Sequence, residues 1–239
     1  MRSTSRSTLP VANNTPYPLA LHILCLAPLI LLLVFSWLYF GNEEAAMVFF
    51  RAWAKEHASL TSGMKMVSKF GNVIFYPVYG FLLWSGLRRG RPELTSFVLA
   101  YVLAQVIVPL LLVYVLKIVV GRPRPAMGGS FTPLTLDSDY HSFPSGHVTE
   151  VIGSTLPFVQ RCRKISLTLF LGLYVAVMGF SRICLESHYL SDVAASLVPG
   201  SFAGWLAWRF SRLPLHWWSR WTGRFRNHKQ FGNNYGRQR

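Results

Sequence analysis

Acidic residues are scarce in this sequence, with nine Asp and Glu among 239 positions, and charged residues of either sign make up only 14%. An average soluble domain carries roughly a quarter. The shortage argues against an ordinary cytosolic globule and leaves too few fixed charges for a disordered chain. Cysteine is scarce as well. Cys25, Cys162 and Cys184 are odd in number and widely spaced, which fits neither a disulfide framework nor a zinc motif. There is no internal repeat and no low-complexity domain. What is abundant is apolar: 51% of residues are hydrophobic and 15% aromatic, with mean hydropathy +0.32. The charges present are lopsided, 24 Lys and Arg giving a net of +15. In a soluble protein that balance would suggest nucleic acid. Beside long apolar runs, anionic lipid and the positive-inside rule account for it better. The composition is that of a membrane protein.

A bilayer core about 30 Å thick needs about 20 mostly apolar residues in a helix. Residues 19–40 form the cleanest such span, with Trp37 and Tyr39 as interface anchors. It is too long and too late for a signal peptide, and no small-residue cleavage site follows. A second span is expected at 73–87, shortened and interrupted by Pro77. Residues 93–120 make a third, 148–160 a fourth weakened by Glu150, 165–185 a fifth and 190–210 a sixth. The sixth is rich in small residues, which let helices approach closely in lipid. The predicted fold class is all-α, a polytopic membrane bundle of six transmembrane helices. The segment 42–68 mixes Met47, Phe49, Phe50 and Trp53 with Arg51, Lys55 and Glu56. It reads as an amphipathic helix after the first span, either lying at the outer interface or packed on the bundle.

With the amino terminus inside, the segments 1–18, 88–93, 161–164 and 209–239 carry 2, 3, 3 and 8 basic residues, 16 in total, against 8 outside. Outside the motif considered next the bias is 16 to 4, which puts both termini in the cytoplasm. The chain thus divides into a cytoplasmic tail (1–18), a six-span domain (19–210) and a basic tail (211–239). That tail, with Trp217, Trp218 and Trp221, is expected to be interfacial at first and disordered from Gly223. Lipid proximity explains its charge without nucleic acid.

Charged groups at span ends are rare and usually functional. Here they gather in three places: Lys117 to Pro125, Phe143 to His147, and Ser181 to Asp192. The topology puts all three on the outer face, where they can converge. Lys117, Arg124 and Arg182 are cations without a matching acidic cluster, and such a set suits a multivalent anion such as a phosphoryl group. Pro144-Ser145-Gly146-His147 before an apolar run looks like a helix amino terminus. Free N–H groups, the Ser145 hydroxyl and a glycine allowing close approach make an anion cradle there. His188 and Asp192 are four apart, so Asp192 can accept from one imidazole nitrogen and leave the other as nucleophile. His147 is then available as general acid. Competing readings are a metal site from His147, Glu150, His188 and Asp192, which the three cations oppose, a stiff basic turn at Gly121 to Pro125, and a snorkelling Lys117. For His22 the simpler reading is a satisfied core histidine.

In this order and spacing the three segments resemble the type-2 phosphatidic acid phosphatase superfamily, membrane lipid-phosphate phosphatases related to vanadium haloperoxidases. The family pattern is Lys-x6-Arg-Pro, then Pro-Ser-Gly-His, then Ser-Arg-x5-His-x3-Asp. Lys117 with Arg124-Pro125, Pro144 to His147, and Ser181-Arg182 with His188 and Asp192 match it. The resemblance implies that His188 attacks phosphorus, oriented by Asp192, and that His147 protonates the leaving group. Lys117, Arg124, Arg182, Ser145 and the Gly146 backbone would hold the phosphate oxygens, with no metal and no cofactor. Arg122 is not a fixed residue of the pattern, and Glu186 stands where small or apolar residues are common; its simplest partner is Arg182. The expected protein is a bacterial inner-membrane phosphatase facing the periplasm. Its substrate would be an anionic phospholipid or isoprenoid phosphate: undecaprenyl diphosphate, phosphatidylglycerol phosphate, phosphatidic acid or lipid A 1-phosphate. The alternatives are a lipid phosphotransferase and a non-enzymatic lipid transporter or scaffold. Anion binding alone would not need both histidines and Asp192 at these spacings.

Overall fold

The computed structural model of the chain describes residues 16–213, so most of the 1–18 tail and of the 211–239 tail lies outside the described residues. Among the described residues every regular element is helical. The order is α1 (Leu19–Phe40), α2 (Glu43–Glu56), α3 (Ala58–Phe70), α4 (Phe75–Arg88), α5 (Pro92–Gln105), a π-helical stretch (Val106–Leu112), α6 (Val113–Val120), α7 (Gly146–Cys162), α8 (Ile165–Cys184), α9 (Leu190–Ala195) and α10 (Leu197–Phe210).

Among the described residues four helical stretches are long and apolar enough to cross a membrane: Leu19–Phe40, Ala58–Arg88, Pro92–Val120 and Ile165–Cys184. The first, third and fifth expected spans coincide with three of these. The second, expected at 73–87, is the latter half of a longer helical run. Pro77 does not interrupt it, because it falls in the first turn of α4, where its missing N–H has no helical partner to lose. The fourth and sixth expected spans fall short. α7 has 17 residues, and the 190–210 segment bends at Ser196 into α9 and a 14-residue α10.

The reason is position in the bundle. α7 runs through the centre, with Val148, Val151, Ile152, Leu156 and Val159 fully buried alongside Thr149, Ser154 and Thr155. A helix wrapped by protein needs no continuous apolar surface for lipid. α10 lies against it through Gly200 and Gly204. A Cβ at Gly200 would come 2.7 Å from Ile152 Cβ, and one at Gly204 would come 2.6 Å from Leu156 Cδ1. α1 meets α8 in the same way at Gly172, whose Cβ would lie 2.5 Å from the Cys25 carbonyl oxygen. Exposed apolar residues such as Phe35 and Leu38 on α1, Phe81 on α4, Leu110, and Phe170 on α8 form the outside of this bundle.

The segment 42–68 folds as two helices with a break at His57. Asn42 caps α2 by accepting from Ala45 N at 2.8 Å, and Glu43 and Glu44 favour its first turn. α2 turns Ala46, Met47 and Phe50 inward. His22 is a buried core residue bonded to Tyr17 and, through Nε2, to Ser201 Oγ at 3.0 Å.

Candidate active site

Lys117 stands in the last turn of α6, which stops at Gly121 in the left-handed region (φ 57). A Cβ there would come 1.7 Å from the Thr132 carbonyl oxygen, so glycine alone permits this turn into the following loop. The loop is tied back by Thr132 N donating to Gly121 O at 2.8 Å and Ser142 N to Arg122 O at 3.0 Å. It returns the chain to Ser145, the residue capping α7.

All three sequence motifs meet at this amino end of α7. Lys117 Nζ donates to His141 O at 2.5 Å, and a Cβ on Gly146 would lie 3.7 Å from Lys117 Cε. Arg124 Nε donates to Ser138 O at 3.2 Å. Arg182, in the last turn of α8, donates through Nη1 to Ser68 Oγ on α3. Its Nε is buried with no partner among the described residues, and so is Ser145 Oγ. The first N–H groups of α7 are unpaired by helix geometry. Two orphaned polar side-chain atoms, three cations and a helix amino end therefore share one locus.

His188 lies between α8 and α9, only 2% exposed. Its Nδ1 is 2.7 Å from the Ser142 carbonyl oxygen. A carbonyl only accepts, so Nδ1 carries the proton and Nε2 is the nitrogen with the free lone pair. Burial pushes the imidazole down to about 4, against the opposing pull of Asp192. The ring is neutral at pH 7.

Asp192 does not take the direct role expected of it. Its Oδ2 stands 3.7 Å from His188 Nδ1, beyond hydrogen-bond reach. The fully buried carboxylate instead accepts from Ser142 Oγ at 2.5 Å and Tyr189 N at 2.9 Å, and pairs with Arg122 Nη1 at 2.6 Å. Asp192 therefore holds Ser142, and the Ser142 carbonyl holds the imidazole. The i, i+4 spacing brought acid and ring close, but the loop placed a backbone carbonyl closer.

Arg122, without a role in the sequence reading, is the centre of a charge string. Its Nη1 also donates to Ser191 Oγ at 2.6 Å, its Nη2 pairs with Glu43 Oε2 at 2.7 Å, and its guanidinium lies 4.2 Å from the centre of the Tyr189 ring. Glu43 also accepts from Ser191 N at 2.6 Å, so the start of α2 fixes the start of α9. Glu186 pairs with Arg51 at 2.6 Å, not with Arg182. Glu150 accepts from Tyr76 Oη at 2.5 Å and Asn72 Nδ2 at 2.7 Å. Among the described residues no group of three or more His, Cys, Asp or Glu side chains is placed to hold a metal. Ser142 reaches the imidazole through its backbone carbonyl and Glu43 lies far back in the chain, so neither left a signal in the sequence. Arg122 left one, as the extra arginine of the Gly121 to Pro125 turn.

Comparison with known proteins follows the same residues. Residues 93–214 match the family model of the PAP2 superfamily. The chain is 35% identical over 100 residues to undecaprenyl-diphosphatase BcrC of Bacillus subtilis, covering 42% of this chain and 51% of the relative. It is 31% identical over 136 residues to a lipid A 1-phosphatase of Rhizobium etli, covering 53% and 54%. A probable lipid phosphate phosphatase beta of Arabidopsis thaliana is 28% identical over 147 residues, covering 51% and 68%. The chain thus spans about half the length of the first two. No solved structure matches it significantly. With the matched segment spanning about half of the chain and all three motifs, the chain belongs to the PAP2 superfamily.

Proposed function

We propose that this chain is an integral-membrane lipid phosphate phosphatase that hydrolyses a lipid phosphomonoester or diphosphate through a phosphohistidine on His188. The observation that carries the reading is the pair of buried donors without partners among the described residues, Ser145 Oγ and Arg182 Nε, at the amino end of α7. Leaving such groups unpaired costs about 1–3 kcal/mol each, and an anion with several oxygens satisfies them together with Lys117, Arg124 and the Gly146 N–H. The relatives' names point to the same substrate class.

In the first step the His188 Nε2 lone pair forms a bond to phosphorus while the bond from phosphorus to the lipid oxygen breaks. With the anionic phosphate bound beside it His147 takes up a proton, and it gives that proton to the departing oxygen. In the second step His147, now neutral, takes a proton from water as the water oxygen attacks phosphorus. The phosphorus–nitrogen bond breaks, its electron pair returns to Nε2, and inorganic phosphate leaves. Lys117, Arg124, Arg182 and Ser145 stabilise the charge that grows on the equatorial oxygens, so the chain's own cations do what a metal would otherwise do. The Ser142 carbonyl, held by Asp192, fixes the tautomer.

The same reading takes residues 19–210 as one six-span domain in a bacterial inner membrane. α7 and the α9–α10 pair are its inner spans, α2 lies at the outer interface, both termini are cytoplasmic and the site faces the periplasm. Phosphate release from a panel of lipid phosphates in detergent, with and without EDTA, tests the proposal. Release in both conditions supports it. Transfer of the phosphoryl group to another lipid without free phosphate would make the protein a phosphotransferase, and no turnover at all would leave binding alone.

A further inference from the structure

A cavity of about 490 Å³ opens beside the phosphate locus, and His147 and Gly146 form one end of it. Its lining is mostly apolar, with Val106, Pro109 and Leu110 of the π-helical stretch, and Tyr76, Gln105 and Glu150 supply a smaller polar wall. Glu150 follows His147 by three residues, so the two side chains occupy one face of α7. If His147 protonates the leaving oxygen, as proposed above, the cavity it lines receives the leaving group.

The polar wall has an unusual bias. Both oxygens of Glu150 act as acceptors, from Tyr76 Oη and Asn72 Nδ2, and no Lys or Arg among the described residues pairs with that carboxylate. Gln105 commits its Nε2 to Glu150 O and Ser154 Oγ, while its Oε1 is buried without a partner. The donors on this wall are engaged within the protein, and what remains is accept-only and carries a negative charge. The cations lie with the transferred phosphate instead.

We infer that the leaving group is a neutral lipid alcohol carrying hydroxyl or amide N–H donors near the ester oxygen, and that Glu150 selects phosphomonoesters of this kind against lipid diphosphates. This rests on the phosphatase reading above. A diphosphate would place its departing phosphate, itself an anion, against an uncompensated carboxylate in a low-dielectric setting. A sugar-like or glycerol-like alcohol would instead meet Glu150 and Gln105 Oε1 with donors, and its chains would lie along Val106 and Leu110.

The experiment compares kcat/KM for three detergent-solubilised probes: an N-acylglucosamine-based lipid 1-phosphate, phosphatidic acid and an isoprenyl diphosphate. Ratios are taken on the same preparation, so the fraction of folded protein cancels. Wild type should prefer the sugar monoester to the diphosphate by about tenfold or more, with phosphatidic acid between them. Glu150→Gln should narrow the monoester-to-diphosphate ratio by about tenfold, because one charge is removed with little change of shape. Tyr76→Phe keeps the charge and should move that ratio by less than about threefold. Gln105→Leu should lower the sugar monoester relative to phosphatidic acid. Four outcomes would overturn the inference: a wild-type preference for the diphosphate, a ratio unmoved by Glu150→Gln, a Tyr76→Phe shift as large as that of Glu150→Gln, or phosphatidic acid preferred to the sugar lipid. No phosphate from any probe would instead defeat the phosphatase reading, and the inference with it.

Discussion

Replacing Arg122 with leucine should both loosen the fold and slow the reaction, and the structure says by how much. The guanidinium is the only cation paired with Asp192 among the described residues, and Asp192 is fully buried. Removing one partner of a buried pair costs about 3–5 kcal/mol, because the other charge is left uncompensated. Two features pull the figure to the lower end. Asp192 keeps its bonds from Ser142 Oγ and Tyr189 N, and Glu43, at 18% side-chain exposure, can reach water. About 3 kcal/mol is therefore expected, which by the scaling of ordinary domains lowers the thermal midpoint by roughly 6–12 °C. Because Asp192 holds Ser142 and Ser142 holds His188, kcat should fall by about tenfold or more while KM changes less. Thermal unfolding in detergent and steady-state kinetics measure the two effects. The decisive comparison is the same substitution in an Asp192→Asn background. If Arg122 acts through Asp192, its loss there should cost well under half as much in both stability and rate. Equal costs in the two backgrounds would refute the chain of positioning described here.

The two histidines should separate by leaving group. His188→Ala should abolish turnover of every substrate and all acid-labile phosphoprotein, whereas His147→Ala should slow lipid substrates by about 10²–10⁴-fold and an activated aryl phosphate far less. Activity should survive EDTA and be blocked by vanadate, and complete loss with EDTA restored by zinc or magnesium would overturn the metal-free mechanism. Because burial holds His188 near 4, kcat/KM corrected for substrate ionisation should show no acid limb from this group near 6.5. The unfolded chain takes up that proton first, at its ordinary 6.5, so the folded state should keep this contribution above pH 6.5 and lose stability as pH falls from 6.5 through 4. A reporter fused after Arg239 should read cytoplasmic and one in the 126–142 loop external, and the reverse pattern would invert the proposed topology.

Different parts of the molecule were legible to different degrees. Helix α1 was plain because it faces lipid over much of its length, and lipid demands an unbroken apolar stretch. α7 was not, because its neighbours are protein. Thr149, Ser154 and Glu150 lower its hydropathy without harm where Ser154 Oγ, Tyr76 and Asn72 make hydrogen bonds inside the bundle. The 190–210 segment reads as one helix from composition, yet Ser196 Oγ bonds to Ser145 O and Asp192 O and the helix bends there. The polar residues of the site stood out for the opposite reason, since apolar spans have little other use for Lys117, His147 or Arg182.

What the sequence by itself determined is the membrane class, the apolar helices and the identity and spacing of the groups in the three motifs. Those are properties of neighbours along the chain, set by hydrophobic demand and helical periodicity. Only the tertiary structure decided which atoms meet. Ser142 and His188 are 46 residues apart and Glu43 and Arg122 are 79 apart, and no local rule relates such positions. The acid beside the imidazole serves a backbone carbonyl, Arg122 becomes the keystone of that support, and Glu150 turns to Tyr76 and Asn72 because the fold brings the first turn of α4 and the turn before it to its carboxylate. A buried polar group takes whichever partner the fold delivers, since remaining unpaired costs more than any local preference among the candidates.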